Sequence, residues 1–408
     1  PHLVQSLASE ESTPRVAPPS PLVLLFAFGG LMAALAAGYG VLFTIVADFR
    51  DEYDISETAI GFVIGLGFIA GFLSQIALAP LADRGHAKKL VFIGVLVNVA
   101  GLLLMALSTT LTPILIGRFV SGIGIGAASP AVKRIVILAD PDNLGQNMGR
   151  LLAADVFGFA TGPAISAILV GPFGIPAPFI VVAAITLILL PIVARVPVQE
   201  SVEQSEHRFA LDLLRIRPFA GAVILGAVAF AMIGAFDALW DVVHKDLGTT
   251  DWIANLGITL FGLPLIFLGP PGGRLAQTFG PFKLSSIGLL FASGIMCLYG
   301  FLPSGGLIFT VAMVHAVSDG LTISSAGVAV GMVVPADRQA GAHGVVGAAQ
   351  AVSAGVMAAV TGALYEAYGQ TTAYMVAAAV MLVMTLTGLW LARSAWDISR
   401  PIGSSVNN

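Results

Sequence analysis

The sequence contains very little charge. Of its 408 residues, only 10% are Asp, Glu, Lys or Arg, whereas soluble domains average about 25%. Hydrophobic residues make up 57% of the chain, and the mean hydropathy is +0.93. Because so few charges cannot cover the surface of a water-soluble protein of 41.9 kDa, the composition excludes a soluble enzyme and predicts an integral membrane protein.

Other absences exclude further classes of protein. Nineteen Lys and Arg stand against 23 Asp and Glu, so no basic surface for nucleic acid is expected. The single cysteine, Cys297, cannot form an internal disulfide, and no Cys/His cluster predicts a metal or another cofactor. There is no phosphate-binding loop of the Gly-x-x-x-x-Gly-Lys-Ser/Thr type, so direct ATP drive is not expected. Residues 1–20 lack the pattern of a cleaved signal peptide and are predicted to be a disordered tail.

Long apolar stretches fill the rest of the chain. A helix needs about 20 mainly apolar residues to cross a bilayer, and runs such as 181–194 do not alternate as barrel strands would. The fold class predicted is therefore an all-α integral membrane protein with twelve transmembrane helices. The predicted spans are 22–46, 58–79, 90–108, 113–132, 151–170, 178–194, 219–242, 253–269, 284–302, 307–333, 344–365 and 373–392.

The positive charges are strongly biased to one side. With the N-terminus inside, sixteen of the nineteen Lys and Arg fall in inner loops or tails. Only Arg50 and Lys245 lie outside, and Arg118 lies within a span. Because cytoplasmic loops carry the excess of cations, we predict a multi-pass protein of the inner (plasma) membrane with both termini in the cytoplasm.

The chain divides into two halves of six spans. The longest inner connection, 195–218, is charged and falls at the midpoint. Leu81-Ala82-Asp83 after the second span has a counterpart, Leu275-Ala276-Gln277, 194 residues later. We therefore predict an N-terminal bundle over 21–194, a cytoplasmic loop over 195–218, a C-terminal bundle over 219–393 and a tail over 394–408, as in transporters built from parallel repeats.

Three motifs lie in the first half. The second span is followed by Ala79-Pro-Leu-Ala-Asp83-Arg84-Gly85-His86-Ala87-Lys88-Lys89, the fourth contains Arg118-Phe-Val-Ser-Gly122-Ile-Gly124-Ile-Gly126, and the fifth contains Gly158-Phe-Ala-Thr-Gly162-Pro163-Ala-Ile-Ser166-Ala167. Glycines four residues apart allow close helix contact, and a proline bends a helix.

These motifs resemble those of the major facilitator superfamily, and the third is similar to a pattern of its twelve-helix drug/proton antiporter branch. In the first motif Asp83, Arg84, Lys88 and Lys89 match, while Ala79 and His86 stand where the family has glycine. The resemblance implies two pseudo-symmetric six-helix bundles, a latch between them formed by the first motif, and export by antiport. It also links Arg118 to proton transfer, and Gly158, Gly162 and Pro163 to conformational change.

Few ionisable groups fall within the predicted spans. Asp319 lies near the centre of the tenth span, and His315, one turn earlier, is on the same face. A buried carboxylate and an imidazole can exchange a proton, so Asp319 and His315 are predicted to couple transport to protons, assisted by Asp155 and Arg118. The alternatives are a pair that only joins helices, an Arg118 that reaches the outer headgroups, and an Asp155 that lines the vestibule or pairs with Arg118 or Arg150.

Four acids against one cation within the spans favour cationic or neutral amphiphilic substrates. Candidate cavity residues are Asp237, Asp241, Trp240, Asn98, Phe157 and Phe236. The alternatives are solvated mouth positions for the two acids, lipid-facing aromatic rings and a packing contact for Asn98.

The sequence therefore predicts a monomeric secondary transporter that works by alternating access and exports lipophilic or cationic small molecules in exchange for protons. Two other functions remain open: proton-coupled uptake of a small metabolite, and non-pumping movement or sensing of lipid.

Overall fold

The computed structural model describes residues 20–43, 45–55, 57–198 and 209–401. Residues 1–19 of the predicted N-terminal tail, residues 199–208 of the predicted interdomain loop and residues 402–408 of the C-terminal tail lie outside these residues. Within the described ranges, helices and their turns are the only regular secondary structure. The predicted all-α fold class is confirmed.

The first half contains six long helices, which we label α1–α6. Helix α1 consists of the consecutive segments Pro21–Leu24, Leu25–Gly29 (a π-helical stretch) and Gly30–Gly40, followed by a 3₁₀ turn at Val41–Phe43. A short helix, Val46–Tyr53, leads to the next long helix. The others are α2 (Glu57–Leu81), α3 (Ala87–Ala106), α4 (Leu111–Ala139), α5 (Leu144–Phe173) and α6 (Pro176–Arg195).

The second half contains α7–α12. Its helices are α7 (Arg217–Asp246), α8 (Asp251–Phe279), α9 (Pro281–Tyr299) and α10, which comprises Gly305–Thr322 and Ser325–Val333. The segment Gln339–Ala392 is broken at Gly369, whose φ of 80° is left-handed. This break separates α11 (339–368) from α12 (370–392).

The twelve helices correspond one for one to the twelve predicted spans. Among the described residues, nine segments are long and apolar enough to cross a membrane, and two of them each hold two helices joined at Gly85 or Gly369. These segments account for eleven helices, and the twelfth, α1, contains the shorter apolar helix Leu25–Gly40.

The largest difference is in α8, which continues to Phe279, ten residues past its predicted end, and α4 continues to Ala139, seven residues past its own. Lys133 and Arg134 are therefore helical residues and not loop cations, because an apolar window ends at the first cation whereas the helix does not.

The α2–α3, α4–α5, α8–α9 and α10–α11 connections lie at one end of the bundle, which we call the inner face because the distribution of cations predicts it to be cytoplasmic. Two buried hydrophobic cores lie beside each other, one built mainly by α1–α6 and the other by α7–α12. Near the inner face, Ala276, Val328 and Ala340 of the second half join the first core. The described parts of the two halves therefore pack against each other at this end.

Glycines make the contact between α5 and α8 very close. A Cβ atom on Gly145 would collide with the carbonyl oxygen of Gly273, and one on Gly149 with that of Gly269. Helix α2 similarly approaches α11, where a Cβ on Gly344 would lie 2.7 Å from the carbonyl oxygen of Gln75. Backbone thus meets backbone where the two halves touch, a geometry that only small residues permit.

The glycines of the third motif, Gly158 and Gly162, do not lie between the two halves. They pack α5 against α1 inside the first half. A Cβ on Gly158 would collide with the carbonyl oxygen of Ala33, and one on Gly162 would lie 2.7 Å from Cα of Gly40. Pro163 follows within the same helix and also faces Gly40. The motif therefore fixes how closely these two helices approach.

We expect Gly158→Ala to lower the free energy of unfolding by about 1–3 kcal/mol, because the added methyl group must push α1 away. Gly171 lies on the same helix, and a Cβ atom added there would have no neighbouring atom within 4 Å. Gly171→Ala should leave stability unchanged or slightly higher, since alanine is the better helix former. Thermal unfolding of the purified variants measures both, and equal melting temperatures would contradict this packing role.

Candidate functional site

Asp83 joins the two halves at the inner face. Its carboxylate accepts hydrogen bonds from the backbone N–H groups of Ala340 (2.9 Å) and Gly341 (2.7 Å), at the start of α11. It also pairs with Arg134 of α4 at 3.0 Å, and the two side chains are 3% and 0% exposed. Because the first N–H groups of a helix have no partner within it and favour an anion, this one carboxylate links α4 to α11.

The rest of the first motif shapes the turn around Asp83. Gly85 has a φ of 80°, which lets the chain reverse between α2 and α3. The ammonium group of Lys88 donates to the carbonyl oxygens of Ala194 (2.7 Å) and Val196 (3.0 Å) at the end of α6, where a cation is favourable. Arg84 is half-buried and Lys89 is exposed.

Arg118 is fully buried among α1, α2 and α4. Its guanidinium carbon lies 3.8 Å from the ring centre of Tyr39, and a Cβ on Gly67 would collide with the guanidinium group. The Tyr39 hydroxyl donates to the carbonyl oxygen of Gly67 at 2.8 Å. Within the described residues the guanidinium nitrogens have no hydrogen-bond partner. Arg118 is therefore held by a cation–π contact that sequence reasoning missed, and it does not reach a headgroup region.

The predicted pairing of Asp155 with Arg118 is not seen in the described structure. Asp155 of α5 is half-buried and interacts electrostatically with Lys133 of α4. The predicted fourth span ends at residue 132, so hydropathy alone places Lys133 in the following loop. The extension of α4 brings this cation into the helix and towards Asp155.

Asp319, His315 and Tyr299 form a buried polar chain inside the second half. His315 Nε2 lies 3.6 Å from Asp319 Oδ2, and the side chains of these residues are 0% and 5% exposed. The other ring nitrogen, Nδ1, lies 3.1 Å from the hydroxyl group of Tyr299 at the end of α9. Tyr299 was not predicted, because only the folded arrangement brings the end of α9 to the middle of α10.

A small cavity of about 10 Å³, room for roughly one water molecule, borders Asp319. Its walls come from α7, α9 and α10 and are mainly apolar, with the hydroxyl-bearing Ser285 and Thr322 beside the carboxylate. Asp319 Oδ2 has no hydrogen-bond partner among the described residues. The space has room for a proton or a single water molecule at the carboxylate, against otherwise apolar walls.

The remaining predicted cavity residues fall into two groups. Phe157, Asp237 and Asp241 have exposed side chains, and the two acids share one face of α7. Trp240 and Phe236 are buried in the core of the second half with ring centres 5.0 Å apart, and buried Asn98 donates to Ser121 Oγ at 2.8 Å. These last three residues pack helices together and do not form an open cavity wall, because helical periodicity does not reveal which face meets a neighbouring helix.

Two packed sets of helices, joined at the inner face by the hydrogen bonds between Asp83 and α11, match the architecture of membrane transporters built from repeats. The sequence model of the Major Facilitator Superfamily matches residues 26–250 and 222–404. The chain belongs to this family. It is thus a multi-pass membrane transporter and not an enzyme.

Relatives within the family differ in what their names describe. The chain is 25% identical to an uncharacterised transporter of this type from Salmonella typhimurium, over 82% of this chain and 87% of the relative. It is 24% identical to the human synaptic vesicular amine transporter, covering 62% and 52% of the two chains. It is 29% identical to a multidrug resistance protein of Klebsiella pneumoniae, covering 36% and 37%.

Solved structures share the fold at low identity. The human organic anion transporter superimposes with a TM-score of 0.74 at 16% identity, covering 91% of this chain and all of the other. The Escherichia coli fucose:proton symporter also gives 0.74 at 16% identity, covering 92% and 99%. These likenesses support the fold alone.

We expect Asp83→Leu to lower the free energy of unfolding by about 3–5 kcal/mol, because it leaves the buried Arg134 without its anion. The double variant Asp83→Leu/Arg134→Met removes both charges and should recover most of that loss, since apolar replacement of a buried pair is often neutral. Chemical or thermal unfolding measures both variants. A double variant no more stable than the single one would contradict the pairing.

Proposed function

We propose that this transporter exports lipophilic or cationic small molecules in exchange for protons, with Asp319 as the group that carries the proton. The observation that carries the proposal is the position of Asp319. It is a buried acid in the middle of a transmembrane helix, at the edge of a largely apolar cavity and beside an imidazole. Intramembrane acids of this kind commonly mark ion and substrate pathways.

The energetics of burial supply the coupling. A carboxylate held away from water is stable when it is protonated or paired with a cation. A proton on Asp319 and a cationic group in the cavity would neutralise the same charge, so the arrival of one favours the release of the other. Exchange at one carboxylate therefore couples inward movement of protons to outward movement of the substrate.

The hydrogen bond between Tyr299 and His315 determines which ring nitrogen of His315 carries the hydrogen. If the phenol hydroxyl donates to Nδ1, the imidazole carries its own hydrogen on Nε2, the nitrogen that faces Asp319. The imidazole then stabilises the carboxylate after its proton leaves. Tyr299 thus positions His315, and His315 and Asp319 act as one unit.

The other predicted residues take supporting parts in the proposal. Asp237 and Asp241, exposed on one face of α7, would attract cations to the outer mouth, and Phe157 would offer them an apolar surface. Asp155 and the buried Arg118 would assist proton coupling through the electrostatic potential that their charges create within the first half. We also propose a monomer in the plasma membrane with both termini in the cytoplasm.

The names of two relatives support a cationic or lipophilic substrate. One is a multidrug resistance protein and the other an amine transporter. The second candidate is proton-coupled uptake of a metabolite through the same carboxylate, a function that this fold also serves in the fucose:proton symporter. The direction of the driving gradient separates the two candidates.

We expect proteoliposomes with an acidic interior to accumulate the lipophilic cation tetraphenylphosphonium, because protons leaving the vesicle exchange for the cation. Asp319→Asn should abolish this accumulation, since an amide of the same shape cannot carry a proton. Glu366→Gln, which changes an exposed acid near the end of α11, should transport normally and is the matched control.

Gradient-driven accumulation by Asp319→Asn at the level of the unmodified protein would overturn the assignment of Asp319. Transport driven only by an acidic exterior would replace antiport with symport. The same vesicles, with the gradient dissipated by an ionophore, give the baseline for both comparisons.

We expect Tyr299→Phe to move the midpoint of the transport–pH curve to higher pH by less than about one unit, the equivalent of one hydrogen bond. Without the phenol, His315 no longer presents Nε2–H consistently to Asp319, so protonation of the acid becomes easier. Tyr374→Phe is the control, because the Tyr374 ring packs at a tilt against Tyr299, with ring centres 5.5 Å apart. Equal curves for both variants would contradict the positioning role.

A further inference from the structure

The two halves place related residues at related turns of the inner face. Leu81-Ala82-Asp83 lies at the inner end of α2, and Leu275-Ala276-Gln277 lies at the inner end of α8. Asp83 reaches the start of α11 in the second half. Gln277 reaches the start of α5 in the first half. Each half therefore sends one side chain to a helix start of the other half.

The amide of Gln277 makes two short bonds to the first half. Its oxygen Oε1 accepts from the backbone N–H of Gly145 at 2.7 Å, and its nitrogen Nε2 donates to the carbonyl oxygen of Asp142 at 2.7 Å. The residue is 1% exposed. Because an amide both accepts and donates, Gln277 bonds the start of α5 and the turn before it without a counter-ion such as the one that Asp83 requires.

The segment after α12 adds to this contact. The backbone N–H of Arg400 donates to the carbonyl oxygen of Gln277 at 2.9 Å, and its guanidinium group donates to the carbonyl oxygen of Pro141 in the first half at 3.4 Å. Asp397 pairs with Lys283 of α9 at 2.6 Å. The segment 393–401 is therefore anchored on the second half and reaches the α4–α5 turn of the first.

The hydrogen bonds that the Gln277 amide and the Arg400 guanidinium group make to the first half lie beside the glycine contact between α5 and α8, so these bonds must break when the inner face opens. We infer that Gln277, reinforced by Arg400, is a second latch that holds the inner face closed. It differs from the Asp83 latch because it has no ion pair. The inference concerns the balance between closed and open conformations and does not depend on the substrate or on the role of Asp319.

The rate of cysteine alkylation at position 148 tests the second latch. Met148 of α5 is 6% exposed, and its methyl group lies 2.9 Å from a Cβ built on Gly327 of α10. In purified protein carrying Cys297→Ser and Met148→Cys, a maleimide therefore reacts only when the inner face opens. Gln277→Ala should raise the alkylation rate roughly five- to thirtyfold, the effect of losing two hydrogen bonds.

Arg400→Pro removes the donated N–H and the guanidinium group together and should give a smaller increase in rate. Thr278→Ala is the matched control, because the Thr278 hydroxyl donates only to carbonyl oxygens of its own helix, those of Arg274 and Leu275. It should label at the rate of the parent protein. Size-exclusion profiles and melting temperatures confirm that each variant is folded.

A Gln277→Ala variant that labels at the parent rate would overturn the latch, as would a Thr278→Ala variant that labels equally fast. If Gln277→Ala does not fold, Gln277→Met takes its place, because it has a similar volume and makes neither the bond to Gly145 nor the one to Asp142. Its rate should lie above that of the parent, and an unchanged rate would again contradict the inference. Failure of Asp319→Asn to alter transport leaves these rates untouched.

Discussion

The buried ion pair of Asp83 and Arg134 is the interaction on which the closed inner face depends. Both charges lie out of water, and each is stable only because the other is present. Both residues also belong to the first half, whereas the two backbone donors to Asp83 belong to α11. Opening the inner face therefore breaks the two backbone hydrogen bonds to Asp83 and leaves the ion pair intact, so this contact can reverse without separating the two buried charges.

The second half treats its buried acid differently. Asp319 lies beside the imidazole of His315, which can be neutral, and beside a small apolar cavity. Among the described residues, no ion pair joins Asp319 to a Lys or Arg. A buried carboxylate without a permanent counter-ion is stable only when it binds a proton or a cationic ligand. Asp83, which is permanently paired with Arg134, therefore holds the closed conformation. Asp319, which has no such partner, is the group proposed to carry the proton.

Much of the fold could be predicted from the sequence because the bilayer imposes length and apolarity on every helix. The site was less predictable. Arg134 was assigned to a loop because hydropathy cannot tell that a cation is neutralised by a distant acid. Asn98 and Trp240 were placed in the cavity because periodicity does not distinguish a cavity from a neighbouring helix. The roles of Tyr299 and Gln277 arise only from contacts between elements far apart in the chain.

The central claim, that a proton and a cationic ligand compete for Asp319, is tested most directly by following protons when the ligand binds. Purified protein in weakly buffered detergent solution is titrated with tetraphenylphosphonium while a pH indicator and calorimetry report proton release and binding. The account predicts that binding acidifies the solution and that Asp319→Asn eliminates the acidification. Binding without proton release, or equal release from Asp319→Asn, would contradict it.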